Sequence, residues 1–379
     1  MRKKYDVVVV GAGPVGSYTA YRLADYGLSV CLIDKKKEIG KDVICAGVIS
    51  KRAFKKFDLP GEAILSRIDS ATFFSPSGKR LEYNSNDVFA YVVDRSIFDS
   101  GLAKLAKRVG VDVRLNQQVT DIKSSGKVYT VVSRRRRYQA KAVVLATGVN
   151  YDLHKKVGLG RPPRFLYGSQ IELPFSFSQT NIQIHINKKF APGSFGWVIP
   201  AGTNNSRVGV VLLRRGKIWL KKMLESCLSF SADKLNDSEI KIKPIAFGPV
   251  RKSIRGRIIA LGEAAGQIKT TTGGGIFFGL LCSEIAVEKL VKVIKEHGSL
   301  DDYELTWRSA LASEIDIGIR LRRIAGQLNN DEIEALFDFV KKHRFWVDLL
   351  IPRIDFDYHS NFIFFCLKSF GSLLKIPED

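Results

Sequence analysis

The sequence predicts an α/β protein in which a parallel-sheet domain is interrupted by an antiparallel sheet and followed by a helical region. Three observations predict this order. The chain opens with an apolar strand, a glycine-rich turn and a helix, and two later strands also end in glycine-rich turns. The segments 70–92 and 165–250 instead contain short strand-like runs, in one of which Phe195, Trp197 and Ile199 alternate. Continuous apolar runs indicate parallel strands buried on both faces, whereas alternation indicates an antiparallel sheet.

The N-terminal elements form a βαβ unit. The run Tyr5–Val10 is rich in β-branched residues, which suits a buried strand. The turn Gly11–Gly16 follows, and a helix extends from there to Tyr26. A second strand, Leu28–Ile33, ends at Asp34. This order of strand, turn, helix, strand and acid predicts a dinucleotide site.

Each glycine of the turn has a separate physical purpose. Gly11 permits the tight turn, Gly13 lets the backbone approach a pyrophosphate, and Gly16 lets helix and strand pack closely. The helix N-terminus then attracts the phosphates. Asp34, placed at the end of the second strand, accepts hydrogen bonds from ribose hydroxyls and disfavours a 2′-phosphate. FAD and NAD therefore remain as candidates.

Later segments favour FAD. A helix begins at Asp94, and the strand Val143–Leu145 leads to Gly148. Far along the chain, Gly262–Gly266 follows another strand, and Gly273–Gly275 opens a further helix. Distant segments that return to one nucleotide site are expected for a long, two-part cofactor, so we predict FAD.

These motifs resemble those of the geranylgeranyl reductase family, within the FAD-dependent group that includes p-hydroxybenzoate hydroxylase. The resemblance runs from about Tyr5 to about Val293 and includes two further segments, Cys45–Gly47 and Arg95–Asp99. The family's PxxYxWxFP motif corresponds to Pro192–Pro200.

The chain departs from the family pattern at two motifs. Phe195 replaces the tyrosine and Ile199 the phenylalanine of PxxYxWxFP, which keeps the apolar character but loses a hydroxyl. Glu263 replaces the aspartate of the usual GDAAG motif, so its carboxylate stands one methylene further from the backbone. Flavin binding is expected to shift or weaken as a result.

The resemblance implies a set of site residues. It carries over FAD contacts to Val15, Asp34, Cys45, Ala46, Arg95, Val119, Glu263, Gly275 and Ile276, and with Gly11, Gly13, Gly16, Gly148 and Gly274 these form the predicted FAD site. Phe195, Trp197 and Ile199 alternate, so on one strand they share a face. The family match favours a sheet laid over the flavin in which this face forms a wall of a prenyl tunnel. The alternative is that the three side chains fill the core of their own sheet.

The implied activity is an FAD-dependent reductase that saturates C=C bonds of geranylgeranyl or other prenyl chains, carried by a lipid or a diphosphate. Cys45 is a candidate catalytic residue that shapes the reactive face or helps to deliver a proton, and the alternative is a packing residue. Because the sequence has no second glycine-rich βαβ motif, electrons come from docked NAD(P)H or a ferredoxin-like protein.

Two other functions stay open. One is an FAD-dependent monooxygenase or halogenase acting on an aromatic substrate with the same fold, since fold does not determine chemistry. The segment FGWVIP at 195–200 falls short of the halogenase motif WxWxIP. The other is a basic lipid-binding or nucleic-acid-binding protein without enzymatic activity.

Composition narrows these alternatives. The chain has 379 residues, 45% hydrophobic and 26% charged, which excludes a disordered or fibrous protein. Its net charge of +22 suits an anionic partner or lipid surface. The basic clusters do not interleave with aromatic residues, so nucleic acid is not a predicted partner. The run Arg134–Arg137 is predicted to be a solvated hairpin turn.

The cysteines indicate a reduced, cytoplasmic protein without a metal site. No two of the five form a CxxC pair, and an odd number argues against a disulfide framework: Cys31, Cys45, Cys227, Cys282 and Cys366. The sequence contains no run of ~18 apolar residues, so it predicts no membrane-spanning helix. Peripheral contact with a membrane remains an expectation.

We predict three regions. The Rossmann-like FAD-binding domain comprises 1–70, 93–164 and 251–299, and the antiparallel-sheet substrate domain comprises 71–92 and 165–250. Residues 300–379 form a helical C-terminal region whose later part is densely apolar: Phe345-Trp346, Leu349–Ile351, Ile354, Phe356 and Phe362–Phe365. This part is expected to close the substrate tunnel, pack on the body of the protein, or rest on a membrane.

Overall fold

The computed structural model describes residues 4–214, 216–231, 235–296, 298–344 and 355–360. Its strands are β1 (Lys4–Val10), β2 (Val30–Ile33), β3 (Val48–Ser50), β4 (Ile64–Ile68), β5 (Ser70–Phe74), β6 (Arg80–Asn84), β7 (Ala90–Val93), β8 (Asp112–Arg114), β9 (Val119–Ser125), β10 (Val128–Ser133), β11 (Arg137–Leu145), β12 (Arg164–Leu173), β13 (Asn181–His185), β14 (Phe195–Pro200), β15 (Ser206–Leu212), β16 (Lys241–Phe247), β17 (Ile254–Arg255) and β18 (Ile258–Ala260). Its α-helices are α1 (Pro14–Asp25), α2 (Lys51–Lys56), α3 (Arg95–Arg108), α4 (Asp152–Val157), α5 (Lys217–Leu228), α6 (Ile276–Lys295), α7 (Tyr303–Gln327) and α8 (Asn330–Lys342).

The chain divides into two compact units, each assembled from three separated stretches. Unit 1 comprises Met1–Leu65, Val93–Leu166 and Pro244–Ala312. Unit 2 comprises Ser66–Val92, Tyr167–Lys243 and Ser313–Asp379.

Unit 1 is built on a mainly parallel sheet with the strand order β17-β18-β11-β1-β2-β8. β1 lies between β2 and β11 and is parallel to both, with Val8 opposite Cys31 on one side and Val143 on the other. Val7, Val8 and Val9 are fully buried, as expected for a central strand covered on both faces. The predicted α/β fold with a Rossmann-like core is confirmed.

An antiparallel extension joins this sheet. β10 pairs with both β9 and β11, and the run Arg134–Arg137 lies at the turn from β10 to β11. Ser133 stabilises the turn because its Oγ accepts the N–H of Arg136 at 3.0 Å. All four arginines are exposed, so the predicted solvated hairpin turn is confirmed.

Helices and buried polar contacts complete the core of unit 1. α1 contacts both α3 and α6. From α7, Trp307 is fully buried and its Nε1 donates to Ser253 Oγ at 2.9 Å. Tyr303 is also fully buried, and its hydroxyl accepts from Gln267 Nε2 at 3.2 Å. Both aromatic residues thus bury large apolar rings while satisfying their polar atoms.

Unit 2 is dominated by the sheet β16-β12-β15-β14-β13-β5-β6. β14 is antiparallel to β13 and β15, while β13 is parallel to β5. One face packs on α5, where Val198, Val208 and Met223 are among the buried residues of a single apolar cluster. The short strand-like runs in the sequence predict five of these seven strands, but they do not predict β6, β16 or α5.

The last part of unit 2 contains α8, whose N-terminus has a capping box formed by Asn329 and Glu332. Residues 345–354 and 361–379 lie outside the described residues. Apart from Phe356, the apolar segment predicted to close the tunnel, pack or rest on a membrane falls there. Within the ranges that the structure describes, no helix is both long and apolar enough to cross a bilayer.

Candidate functional site

The turn that ends β1 brings three backbone segments into direct contact. Gly11 has φ of 106°, and a methyl group there would clash with the carbonyl oxygen of Ala146. A methyl group on Gly16 would clash with the carbonyl oxygen of Gly11. Both positions therefore need glycine for packing alone, before any ligand is considered.

Gly13 differs from its neighbours because a methyl group there would meet no atom within 4 Å in the part of the chain that the structure describes. Its backbone is extended, with φ of −70°, so glycine is not required for conformation. Gly13 also begins α1, and among the described residues no side chain caps that helix end. An open cradle at an uncapped helix N-terminus fits the pyrophosphate of a dinucleotide.

Val15 connects α1 to the two later glycine-rich segments. Its Cγ2 would lie 2.9 Å from a methyl group on Gly262, and it would clash with one on Gly279 in α6. Val15 therefore packs directly against the backbone of Gly262 and Gly279. This packing brings the N-terminal turn together with Gly262–Gly266 and α6, as the sequence predicts.

The carboxylate of Asp34 is held by backbone donors at the end of β2. Oδ2 accepts the N–H of Ala12 at 2.7 Å, and Oδ1 accepts the N–H of Lys36 at 2.8 Å. The carbonyl of Asp34 accepts the N–H of Gln117 at 2.9 Å, which brings the segment preceding Val119 beside it. Carboxylate oxygens have further lone pairs, so a fixed Asp34 can still accept from ribose hydroxyls.

Glu263 stands in a short 3₁₀ helix, Gly262–Ala265, close to the turn that contains Gly148. A methyl group on Gly148 would lie 4.0 Å from Glu263 Oε2. Oε1 accepts the N–H of Ala246 at 3.4 Å. The carbonyl of Glu263 accepts from the hydroxyl of Tyr151 at 2.8 Å, and burial followed by the Glu263 charge raises the Tyr151 pKa. The longer side chain thus has its own anchor at Ala246.

Cys45 and Arg95 are brought together although they are far apart in sequence. Cys45 Sγ accepts the N–H of Gly47 at 3.4 Å and a hydrogen bond from the Arg95 guanidinium. Arg95 Nε also pairs with Asp99 at 2.8 Å. Burial acts to lower the pKa of Arg95, but Asp99 and Cys45 outweigh it, and the pKa lies above its ordinary value. Arg95 therefore stays charged beside the Cys45 sulfur. Ala46 is the residue spanned by the hydrogen bond from Gly47 N–H to Cys45 Sγ.

The segment before α6 forms a tight glycine turn. The N–H of Lys269 donates to the carbonyl of Gly274 at 2.8 Å, and the N–H of Gly273 donates to the carbonyl of Lys269 at 2.7 Å. Gly275 begins α6, Ile276 is the first helical residue, and no described residue provides a side-chain cap. A second uncapped helix end suits the electron-rich parts of a flavin.

The remaining predicted residues lie in unit 2. The ring centroids of Phe195 and Trp197 are 6.3 Å apart, so these side chains share a face of β14, as predicted. Val198 belongs to the α5-facing core, which places the Phe195 and Trp197 face on the other side of the sheet. Trp197 and Ile199 are buried, and Phe195 is half-buried.

Several residues of these clusters were not predicted from the sequence. They are Ala12, Tyr151, Ala246 and Gln267 in unit 1, and in unit 2 Gly209, which contacts Trp197, with Arg322, which contacts Phe195 and Ser194. Gln267 Oε1 accepts the N–H of Gly262 at 2.7 Å, directly behind the Gly262–Gly266 motif. Its position next to that motif is the one signal that could have found it. Within the described ranges, no group of three potential ligands is arranged to hold a metal ion.

Comparison with known proteins identifies the family. A sequence family described as "Pyridine nucleotide-disulphide oxidoreductase" matches residues 5–160. The digeranylgeranylglycerophospholipid reductase of Methanocaldococcus jannaschii is 31% identical over 370 residues, which cover 91% of this chain and 93% of that protein. This chain belongs to the digeranylgeranylglycerophospholipid reductase family. It is an FAD-dependent oxidoreductase, and the predicted family and cofactor are confirmed.

Solved structures confirm the fold of this reductase family member. A geranylgeranyl bacteriochlorophyll reductase-like protein from Thermoplasma acidophilum superposes with a TM-score of 0.82 at 22% identity, covering 90% of this chain and 92% of that one. A p-nitrophenol 4-monooxygenase from Pseudomonas putida superposes with a TM-score of 0.75 at 17% identity, covering 93% and 98%. At these identities the similarity concerns the fold alone.

The contrast between Gly13 and Gly16 gives a test of the FAD cradle. Gly13→Ala places a methyl group in open space, so we expect the apoprotein to keep its thermal stability while FAD affinity falls by at least about tenfold, about 1.4 kcal/mol. Gly16→Ala forces a clash with Gly11 and should lower the melting temperature instead. Flavin fluorescence titration and thermal denaturation of the apoprotein measure the two effects. Unchanged FAD affinity in Gly13→Ala would contradict the assignment.

Proposed function

We propose that this protein saturates carbon–carbon double bonds of geranylgeranyl chains carried by a glycerophospholipid or a related phosphate ester. The observation that carries the proposal is the family relationship, which extends over nearly the whole chain and includes relatives named for this reaction. The open cradle at Gly13 and the anchored Asp34 support a bound FAD for the same reaction.

Saturating an isolated double bond requires a hydride on one carbon and a proton on the other. Bound FAD, once reduced, supplies the hydride. The two electrons travel with the hydride, so the protein has to provide only the proton and the alignment of the chain. Without an electron-withdrawing neighbour the alkene is a poor hydride acceptor, and a well-placed acid is therefore needed.

We propose Cys45 as that acid. Its sulfur accepts hydrogen bonds from the Gly47 N–H and the Arg95 guanidinium, which act on the sulfur lone pairs. A cation beside a thiol favours the thiolate and so favours release of the thiol proton. Solvent returns the proton after turnover. Arg95 is a positioning residue in this scheme because it acts through Cys45.

The hydrocarbon chain is proposed to lie on the face of β14 that carries Phe195, Trp197 and Ile199. Ile184 stands opposite Trp197 on β13 and extends the apolar surface. Each CH₂ removed from water contributes ~0.8 kcal/mol, so a C20 chain binds such a face with little polar help.

Electrons are proposed to arrive from a separate donor, either NAD(P)H or a ferredoxin-like protein, since the chain has one glycine-rich βαβ motif. Anaerobic reduction of the flavin by each donor, followed at its visible absorbance, distinguishes the two.

The reaction is tested by mass spectrometry of prenyl lipids. Anaerobic enzyme reduced chemically, and therefore independent of the natural donor, should add two hydrogens per double bond to a digeranylgeranylglycerophospholipid. The fully saturated lipid serves as a control that gains no mass. Absence of any mass increment with both the phospholipid and geranylgeranyl diphosphate would overturn the proposed reaction and leave the flavoprotein assignment intact.

A monooxygenase is the second candidate, favoured only by the shared fold with the p-nitrophenol 4-monooxygenase. It requires that the reduced enzyme consume oxygen and hydroxylate an aromatic substrate. The mass measurement separates the two, because hydroxylation adds an oxygen atom and saturation adds hydrogens.

Cys45 variants test the proposed proton donor. Cys45→Ala should slow single-turnover reoxidation by substrate by ~100-fold, the lower end of general acid catalysis, while FAD remains bound. Cys45→Ser should fall between wild type and Cys45→Ala. Cys227→Ala, which removes a half-buried thiol from unit 2, is the matched control and should react at the wild-type rate. Equal rates in all three variants would assign Cys45 to packing.

We further propose that the protein docks on anionic membranes through a basic patch on unit 1, defined as Lys35–Lys37 and Arg134–Arg137. Hydrogen bonds through the segment Asn116–Gln118 join its two halves. Asn116 N–H donates to the Lys36 carbonyl at 2.8 Å, and Arg134 N–H donates to the Gln118 carbonyl at 3.2 Å. All of its side chains are exposed.

The side chains of the basic patch have no ion-pair partner among the described residues. In the part of the chain that the structure describes, none of its lysines and arginines forms an ion pair, and Glu38 beside it pairs with Lys41 at 3.8 Å. The patch adjoins Asp34, at the ribose end of the candidate FAD site. Because electrons enter FAD at its flavin ring, an electron donor is not expected to dock at the ribose end. An anionic lipid surface, attracting ~1 kcal/mol per basic side chain, is the partner we propose.

Vesicle sedimentation tests the patch. Replacing Arg134, Arg135 and Arg136 by Gln should weaken binding to phosphatidylglycerol–phosphatidylcholine vesicles by on the order of 100-fold at low salt, since about 3 kcal/mol is lost. The control replaces Lys104, Lys107 and Arg108, three exposed cations of α3, by Gln and should change binding much less. Equal loss in both triple variants would indicate general charge attraction, and binding to RNA but not vesicles would contradict the membrane proposal.

A further inference from the structure

Unit 2 contains a buried hydrogen-bond donor that has no acceptor among the described residues. The indole of Trp197 is 9% exposed, and among the described residues its Nε1 has no hydrogen-bond partner. Buried polar groups are nearly always paired, so each exception requires an explanation. The buried indole of Trp307 follows the rule, since its Nε1 donates to Ser253. The unpaired donor of Trp197 therefore points to an acceptor supplied by a ligand.

Gly209 determines how the indole lies. Trp197 and Gly209 are cross-strand partners on β14 and β15. A methyl group on Gly209 would lie 2.5 Å from Trp197 Cε2, the ring atom bonded to Nε1. The indole therefore lies against bare backbone, and this contact fixes the position of the Nε1–H. Gly209 is a positioning residue for Trp197.

A cation stands at the Phe195 end of the same face. The guanidinium of Arg322, from α7, lies 5.7 Å from the centroid of the Phe195 ring, and its Nη1 donates to Ser194 Oγ at 2.9 Å. Burial lowers the pKa of Arg322 to about 10, so the group keeps its charge at neutral pH. Phe195 thus lies beside both the indole of Trp197 and a half-buried positive charge.

We propose that Arg322 and the Nε1–H of Trp197 form the subsite for the phosphate-bearing end of the prenyl substrate. Arg322 supplies charge, and Trp197 supplies a directed hydrogen bond. Phosphate oxygens are strong acceptors for both kinds of donor. This inference rests on the proposed function and adds that the phosphate-bearing end of the substrate lies beside Phe195.

The experiment compares ligands with and without the charged group. Binding of farnesyl diphosphate and of farnesol to the oxidised holoenzyme is measured by calorimetry, and the ratio of their dissociation constants gives the preference for phosphate. Arg322→Met should reduce this preference by at least about tenfold while farnesol binding stays within about threefold of wild type. Arg322→Lys, which keeps the charge, should retain part of the preference. The same measurement with a prenyl glycerophospholipid in detergent, which carries a phosphodiester, distinguishes binding of a lipid headgroup from binding of a free diphosphate.

Variants of the aromatic and glycine positions separate the hydrogen bond from packing. Trp197→Phe keeps an aromatic ring and loses the N–H, so the phosphate preference should fall several-fold. Gly209→Ala displaces the indole and should weaken both ligands. Gly196→Ala is the matched control, because its methyl group meets the flexible Met223 side chain on the α5 face. Melting temperature and flavin content verify folding in each variant.

The outcomes are distinguishable. An unchanged phosphate preference in both Arg322→Met and Trp197→Phe, with wild-type reduction of prenyl lipids, would overturn the subsite and leave the proposed function standing. If the wild-type enzyme binds neither ligand and reduces no prenyl lipid, the proposed function and the subsite fail together.

Discussion

Contact between bare backbone segments at the start of α1 is the constraint on which unit 1 depends. Gly16 packs against the Gly11 carbonyl, Gly11 packs against Ala146, and Val15 fills the space left by Gly262 and Gly279. Because no side chain separates these segments, β1, β11, the 3₁₀ helix and α6 are held in one arrangement. The cofactor cradle at Gly13 is the one place among them that this packing leaves open.

The sequence predicted this constraint because glycine spacing carries its physical reason locally. It also predicted most strands of unit 2, which are short apolar runs in the sequence. It missed α5, Lys217–Leu228, because the cations on its exposed side dilute the helical pattern. It missed β6, Arg80–Asn84, because that strand is mostly polar, and β16, Lys241–Phe247, because lysines and Pro244 interrupt its apolar run. These three elements depend on the segments they pack against, and a local sequence pattern does not contain that information.

The same distinction applies to the candidate sites. Asp34 and Glu263 occur within recognisable motifs, but their anchors, the N–H groups of Ala12 and Ala246, are backbone atoms that any residue would supply. Arg322 is one of several arginines on a helix, and only the fold shows that it lies over Phe195. Contacts between distant segments are therefore the part that sequence reading could not reach.

The pairing of β11 has a consequence for synthesis on the ribosome. β11 lies between β1 and β18 in the sheet, yet residues 146–257 separate it from β18 in the chain. β10 pairs with the first part of β11, but for on the order of ten seconds of translation the apolar segment Val143–Leu145 lacks its β18 partner. An exposed edge of this kind invites pairing with other nascent chains. Recombinant yield should therefore depend on translation speed and on chaperones that shield the incomplete sheet.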